Sequence, residues 1–201
     1  MYDYVDLKND NVIYFKNCIS LPNKYIEFLE ELNENKNSHE YIEKWKTWTA
    51  SNDSSNIYGE KKTISNFKNF KLSDDQNLNK RILYLINSVK ETIFILSNRI
   101  SNNVLIKDSF SINKYYSDKN MGPHVDSYNE ENSCNYTFLI YLNDDYEGGE
   151  IEFTELGIKI KPEAGSALIF PTTKPYFHQA HENKNGFKYF VTTEICIVEE
   201  K

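Results

Sequence analysis

The sequence predicts a mainly β protein of the α+β class, a sandwich or jelly roll with N-terminal helices supporting one sheet. Three observations carry this expectation. Eight short β-rich runs separated by turn signals follow Asn103. A long apolar stripe of helical period precedes them. The 201 residues suit one domain of about 150 residues with a small helical appendage. With 39% hydrophobic and 14% aromatic residues the chain can bury a real core, which excludes intrinsic disorder.

Taken in order, the first element is a short amphipathic helix over 22–32. Tyr25, Ile26, Phe28, Leu29 and Leu32 recur on a 3.6-residue period, and Pro22 suits a first helical turn. The segment 38–72 carries Tyr41, Trp45, Trp48 and Tyr58 around a polar, loop-like run at 51–56. These aromatics suit packing of a helix or the lining of a peptide groove. The stretch 74–102 places Leu78, Ile82, Leu85, Val89, Ile93, Leu96 and Ile100 on one face of a long helix, with Asp74 and Asp75 where a helix start favours negative charge. Candidate strands then fall at 104–115, 123–127, 136–142, 150–153, 157–160, 166–170, 176–179 and 187–198. Glu147-Gly148-Gly149, Pro162 to Gly165, Pro171 with Pro175, and Asn183 to Gly186 supply the breaks.

Charge and cysteines exclude several functions. Lys plus Arg is 23 against 30 for Asp plus Glu, and a net charge of −7 gives no long-range attraction for a phosphate backbone, so no nucleic-acid partner is expected. Cys18, Cys134 and Cys196 are odd in number and far apart, which argues against a disulfide framework or a Cys-x-x-Cys site and for buried thiols. No run approaches the ~20 apolar residues of a membrane span, and the start lacks the pattern of a signal peptide. An intracellular, cytoplasmic soluble protein without a membrane partner is expected.

The chemistry concentrates on few residues. In an extended strand His124 and Asp126 of His124-Val125-Asp126 point to one face. A facial triad of two histidines and a carboxylate, which leaves open positions on a non-haem Fe(II), needs one more distant histidine, and His178 or His181 can supply it. His39 lies in a charged stretch and reads as a solvated surface residue. A hairpin centred on Asn183 sets Lys188 opposite His178. Along the last strand Lys188, Phe190, Thr192 and Glu194 then form a mixed face suited to a cavity, while Phe187, Tyr189, Val191, Thr193 and Ile195 form an apolar face suited to the helix-backed core.

From Val104 to Ile197 the chain presents Tyr115, Pro123-His124-Val125-Asp126, Thr137 to Asn143, Glu147-Gly148-Gly149-Glu150, Pro162 with Gly165 to Phe170, and His178 with Gly186 and Lys188. In order and spacing these resemble the Fe(II)- and 2-oxoglutarate-dependent dioxygenases, specifically the prolyl 4-hydroxylase-like branch. The resemblance implies a double-stranded β-helix at 104–198, with 1–103 as a helical support and lid region of the same single domain. It implies that His124, Asp126 and His178 hold Fe(II), His178 being chosen over His181 because it precedes the basic residue by about ten positions. Lys188 would neutralise the far carboxylate of 2-oxoglutarate, with Tyr115, Thr137 and Tyr141 as further cosubstrate contacts. The cosubstrates would be 2-oxoglutarate and O2, with ascorbate as an accessory. The expected reaction hydroxylates a proline in a peptide or protein and releases succinate and CO2.

Met121 and Glu194 depart from that pattern, standing where the branch often has tyrosine and tryptophan, which puts the substrate in doubt more than the reaction type. Two other readings are compatible with the residues: the same cofactors acting on a free amino acid or other small molecule, and a cupin-like metal-binding protein without oxygenase activity. A buried Lys188 argues against the second, since a pure metal site needs no such cation.

Overall fold

The computed structural model describes residues 3–6, 11–34, 46–48, 61–64, 75–101, 103–106, 110–116, 119–127 and 135–197, of which 3–6, 32–34, 46–48, 61–64 and 119 are described as backbone. The elements are β1 (Asp3–Asp6), β2 (Ile13–Lys16), α1 (Pro22–Glu34), β3 (Lys46–Trp48), β4 (Lys61–Ile64), α2 (Gln76–Ser97), β5 (Val104–Ile106), β6 (Ser111–Tyr115), β7 (Lys119–His124), β8 (Tyr136–Tyr141), β9 (Glu147–Gly148), β10 (Ile151–Phe153), β11 (Ile158–Ile160), β12 (Ala167–Pro171), β13 (His178–Lys184) and β14 (Lys188–Ile197). His39, Tyr41, Trp45, Tyr58, Asp74 and Cys134 lie outside the described residues. No described helix is long and apolar enough to cross a membrane.

Two antiparallel sheets face each other as a jelly roll. The larger runs β1-β2-β12-β8-β14-β6-β4-β3, with β5 also paired to β14; the smaller runs β11-β10-β13-β7, with β9 on β13. Alternation along β14 sorts its side chains between two cores. Tyr189, Val191 and Ile195 join Phe138 and Ile140 of β8 and the apolar stripe of α2 in the core behind the larger sheet. Phe190 joins Leu139, Tyr141 and Phe170, together with Ile151, Phe153, Ile158 and Ile160 of the smaller sheet, in the core between the sheets. The mixed and apolar faces expected of this strand are the ones it presents from Lys188 to Thr193 and at Ile195, whereas Glu194 does not line the cavity and Phe187, ahead of β14, is exposed.

The helices follow from their sequences. Asp75 caps α2, its carboxylate accepting from the backbone N–H of Asn77 and Leu78 at 2.9 and 3.0 Å. Ile82, Leu85, Val89, Ile93 and Leu96 are buried, with Leu78 and Ile100 packed at the ends of the same stripe. Helix α1 buries Tyr25, Phe28 and Leu29 and is tied to α2 by a bidentate Arg81–Glu31 pair at 2.6 and 2.9 Å.

Four expectations need correction. The first half is not only helical, because β1 to β4 extend both edges of the larger sheet; strands of three or four residues are too short to show alternation, and pairing with β12 and β6 defines them. Strands β13 and β14 do not form a hairpin: they belong to different sheets, so His178 pairs with His124 and Lys188 with Tyr115. The turn residues at 185–187 mark a crossing between sheets, a distinction absent from turn chemistry alone. Strand β7 ends at His124, two residues short of Asp126. Cys18 is a buried free thiol, but Cys196 is disulfide-bonded, since separation in sequence does not set separation in space.

Candidate active site

The end of β7 and the start of β13 bring three ligand-bearing side chains together. His124 closes β7 and His178 opens β13, and the two are direct register partners, with ring centroids 4.3 Å apart. Asp126, just past the end of β7, turns back so that its Oδ1 lies 3.4 Å from Nε2 of His124 and 3.8 Å from Nε2 of His178. One ligand atom from each residue lies within 4.8 Å of the other two.

Hydrogen bonds decide which atoms remain available. Nδ1 of His124 lies 2.8 Å from the carbonyl of Gly122, and Nδ1 of His178 lies 3.0 Å from that of Tyr176. A carbonyl only accepts, so Nδ1 carries the proton and each Nε2 keeps a lone pair facing the cluster. Thr137, on β8, donates its hydroxyl to Oδ2 of Asp126, which leaves Oδ1 on the side of the histidines. Burial alone raises the Asp126 carboxyl, but the contact with His124, the charge of His178 and the Thr137 hydroxyl outweigh it and hold the group below the usual range. His178 is lowered, by burial first and by His124 after it, against the pull of Asp126. Two imidazole nitrogens and an ionised carboxylate converging on one point fit a divalent transition metal with open positions.

One cavity joins this cluster to Lys188. Its walls include Tyr115, Met121, Leu139, Ile151, Phe170 and Phe190 besides the triad, Thr137, Tyr141 and Lys188. Lys188 is 2% exposed. Its ammonium donates to the carbonyl of Gly149 at 2.6 Å and lies 5.2 Å from the Tyr141 ring centroid. No carboxylate lies within ion-pair distance among the described residues. Burial, and after it the like charge of Lys161, pushes the Lys188 ammonium down to about 7, while Glu150 acts the other way. A buried ammonium with no carboxylate within ion-pair distance, facing the same cavity as the triad, fits a ligand that brings its own carboxylate.

The remaining sequence-derived residues separate clearly. Tyr115 and Tyr141 line the cavity, and burial raises both phenols. The Tyr115 hydroxyl donates to the Met121 sulfur at 3.2 Å, so the departure at Met121 is a cavity wall in contact with a neighbour. The Thr137 hydroxyl, which the resemblance assigns to the cosubstrate, is taken up by Asp126. Glu194 stands opposite Thr137 in the β14–β8 register and is not part of the cavity lining. His181 is elsewhere: its Nε2 lies 2.6 Å from Glu152, which also accepts from Gln179. Strand alternation puts His178 and Ala180 toward the cavity and sends Gln179 and His181 out.

Sequence reasoning missed the Gly149 carbonyl and the walls formed by Ile151, Phe170 and Ala180. Ile151 and Ala180 are register partners across β10 and β13. Their signal was available in alternation, given the sheet order. The carbonyl had no signal, since any residue carries one.

Residues 110–194 match the 2OG-Fe(II) oxygenase superfamily. Prolyl 3-hydroxylase 2 of Rattus norvegicus is 37% identical over 68 residues, 31% of this chain but 9% of that protein, so the match spans a small part of the curated relative. The viral collagen prolyl hydroxylase of Paramecium Bursaria Chlorella virus-1, solved with 2OG, has a TM-score of 0.61 at 15% identity, covering 94% of this chain and 98% of that one. A Trichoplax adhaerens prolyl hydroxylase in complex with a hypoxia inducible factor peptide fragment has a TM-score of 0.64 at 18% identity, covering 95% and 86%. These solved structures share the fold described above.

Proposed function

We propose that this chain, which belongs through residues 110–194 to the 2OG-Fe(II) oxygenase superfamily, uses Fe(II), 2-oxoglutarate and O2 to hydroxylate a prolyl residue of a peptide or protein. The observation that carries the reading is the sharing of one cavity by a His-Asp-His cluster and a buried, carboxylate-free lysine. A metal site alone accounts for the first and not for the second.

His124, Asp126 and His178 would hold the iron through two Nε2 atoms and Oδ1. Thr137 keeps the Asp126 carboxylate turned, and the carbonyls of Gly122 and Tyr176 keep the imidazoles in the ligating tautomer. Lys188 would pair with the far carboxylate of 2-oxoglutarate, fixing which end of the cosubstrate reaches the metal. Leu139, Ile151, Phe170 and Phe190 form the apolar wall between the two anchors. Iron held there with 2-oxoglutarate would supply the oxidising power to put one oxygen atom of O2 into a C–H bond and the other into succinate, with loss of CO2.

The choice of a prolyl substrate draws on the relatives, among them prolyl 3-hydroxylase 2 and a hydroxylase captured with a peptide fragment. The test incubates the protein with Fe(II), 2-oxoglutarate, O2 and either proline-containing peptides or free proline. A peptide that gains the mass of one oxygen atom with matching succinate supports the proposal. Succinate formation driven by free proline and by no peptide replaces the substrate class, and no succinate in any mixture overturns the reaction.

A further inference from the structure

We infer that Lys161 is a positioning residue for the anchor of the cosubstrate's far carboxylate, acting through the 146–149 turn that it shares with Lys188. The inference rests on the reading of Lys188 as that anchor.

The turn is fastened from two sides. Lys161, directly after β11, donates its ammonium to the carbonyls of Tyr146, at 3.0 Å, and of Gly148, and stands 4.1 Å from the Tyr146 ring centroid. The next carbonyl along, that of Gly149, accepts from Lys188, whose ammonium is 5.9 Å from the same ring. Between them the chain has no slack: Gly149 has φ +69°, and a Cβ there would lie 2.6 Å from the Tyr146 ring. Its N–H is spent on the Glu182 carbonyl at 2.9 Å. Two hydrogen bonds from Lys161 fix the carbonyls of Tyr146 and Gly148, on either side of Glu147, and together with the pairing of β9 to β13 they set the direction in which Gly149 presents its own.

The second consequence is electrostatic. The groups facing Lys188 are Lys161 behind β11, Glu150 ahead of β10, and the phenols of Tyr115 on β6, Tyr141 on β8 and Tyr146 in the turn. Only Lys161 among them is a cation. Lys161 itself is an exposed residue, yet partial burial of its ammonium holds it below the usual lysine value, against the pull of Glu150, Asp144 and Glu147. It thus repels the Lys188 proton while holding the carbonyl of Gly148, next along the chain to the one that Lys188 uses. An empty cavity near neutral pH carries Lys188 partly uncharged, and an entering carboxylate draws a proton onto it.

The experiment is calorimetric titration of 2-oxoglutarate into the Mn(II)-loaded protein, so that no turnover is needed, for wild type, Lys161→Met and Lys161→Arg. It runs from about pH 6 to about pH 9 in two buffers of different ionisation heat, so that proton uptake is read directly. Wild-type affinity is expected to fall as pH rises past about 7, with proton uptake on binding. Lys161→Met keeps the alkyl stem but should bind roughly ten-fold more weakly below that midpoint, from loss of the pinned turn. Its midpoint should rise by roughly half a pH unit to one unit, from loss of the like charge. Lys161→Arg should restore both. Lys161→Met with the wild-type affinity and midpoint overturns the inference. So does weakening in both variants with an unmoved midpoint, which marks a merely structural residue. A wild type that binds no 2-oxoglutarate overturns the functional reading itself.

Discussion

His124 and His178 stand directly opposite each other on β7 and β13, and each imidazole is held by the carbonyl two residues before it in the chain. The repeated arrangement leaves two Nε2 atoms converging on Oδ1 of Asp126. Replacement of His124, Asp126 or His178 by Ala should each abolish metal uptake at micromolar Fe(II) or Mn(II), because two ligands hold a first-row divalent ion too weakly. His181→Ala, altering a residue paired with Glu152 outside the cavity, should bind metal as wild type does. Equilibrium dialysis checks both statements.

Thr137→Val removes the hydroxyl from Asp126 while keeping the shape of the side chain. The freed carboxylate can rotate, and metal affinity should fall by about 10- to 100-fold, with Thr137→Ser close to wild type. Were Thr137 instead a cosubstrate contact, metal affinity in the absence of 2-oxoglutarate would not change. Metal titration without cosubstrate distinguishes the two.

Lys188 should cost the empty protein stability. Its folded value of about 7 lies below the ordinary 10.5, so between these the unfolded chain binds more protons and stability rises with pH across that window. Below about 7 the penalty for the buried charge is present in full. Lys188→Met should therefore raise the stability of the ligand-free protein on the acid side by roughly 1–4 kcal/mol and flatten its rise toward alkaline pH. The same variant should lose 2-oxoglutarate affinity by about 100-fold or more, as expected for an unpaired buried carboxylate costing ~3–5 kcal/mol. Urea unfolding across pH, with and without cosubstrate, reads both effects.

The glycines offer an internal control. Gly148 and Gly157 share φ +64°, but a Cβ at Gly148 would lie 2.4 Å from the Glu182 backbone oxygen, whereas one at Gly157 meets nothing within 4 Å. Gly157→Ala should cost only the left-handed backbone penalty of ~1–2 kcal/mol. Gly148→Ala should cost about 1–3 kcal/mol more, because a backbone carbonyl in a strand pair cannot yield. Denaturant midpoints of the two variants test the difference.

The two cores were legible because alternation is local: the odd and even faces of β8 and β14 were readable from residues two apart, and the α2 stripe from residues three and four apart. The pairing of β13 was not legible. Asn185 and Gly186 satisfy a hairpin turn and a sheet-to-sheet crossing equally, and only the competition of β7 and β10 for the edges of β13 decides. Lys188 faces the cavity because Tyr115 and Tyr141 flank the same face of the larger sheet, and not because it opposes His178. The separation of His178 from His181 follows from alternation once β13 is placed. The roles of Thr137 and Lys161 depend on contacts from distant segments, which neither composition nor spacing encodes.

On the proposed function, one cavity takes Fe(II) and 2-oxoglutarate together, the metal on the triad and the far carboxylate on Lys188. Anaerobic addition of Fe(II) and 2-oxoglutarate, followed by visible absorption, tests it without needing the substrate. A charge-transfer band should develop only when both are present, should be absent in Asp126→Ala, and should require about 100-fold more 2-oxoglutarate in Lys188→Met. A wild-type protein that binds Fe(II) yet shows no band at saturating 2-oxoglutarate would contradict the claim.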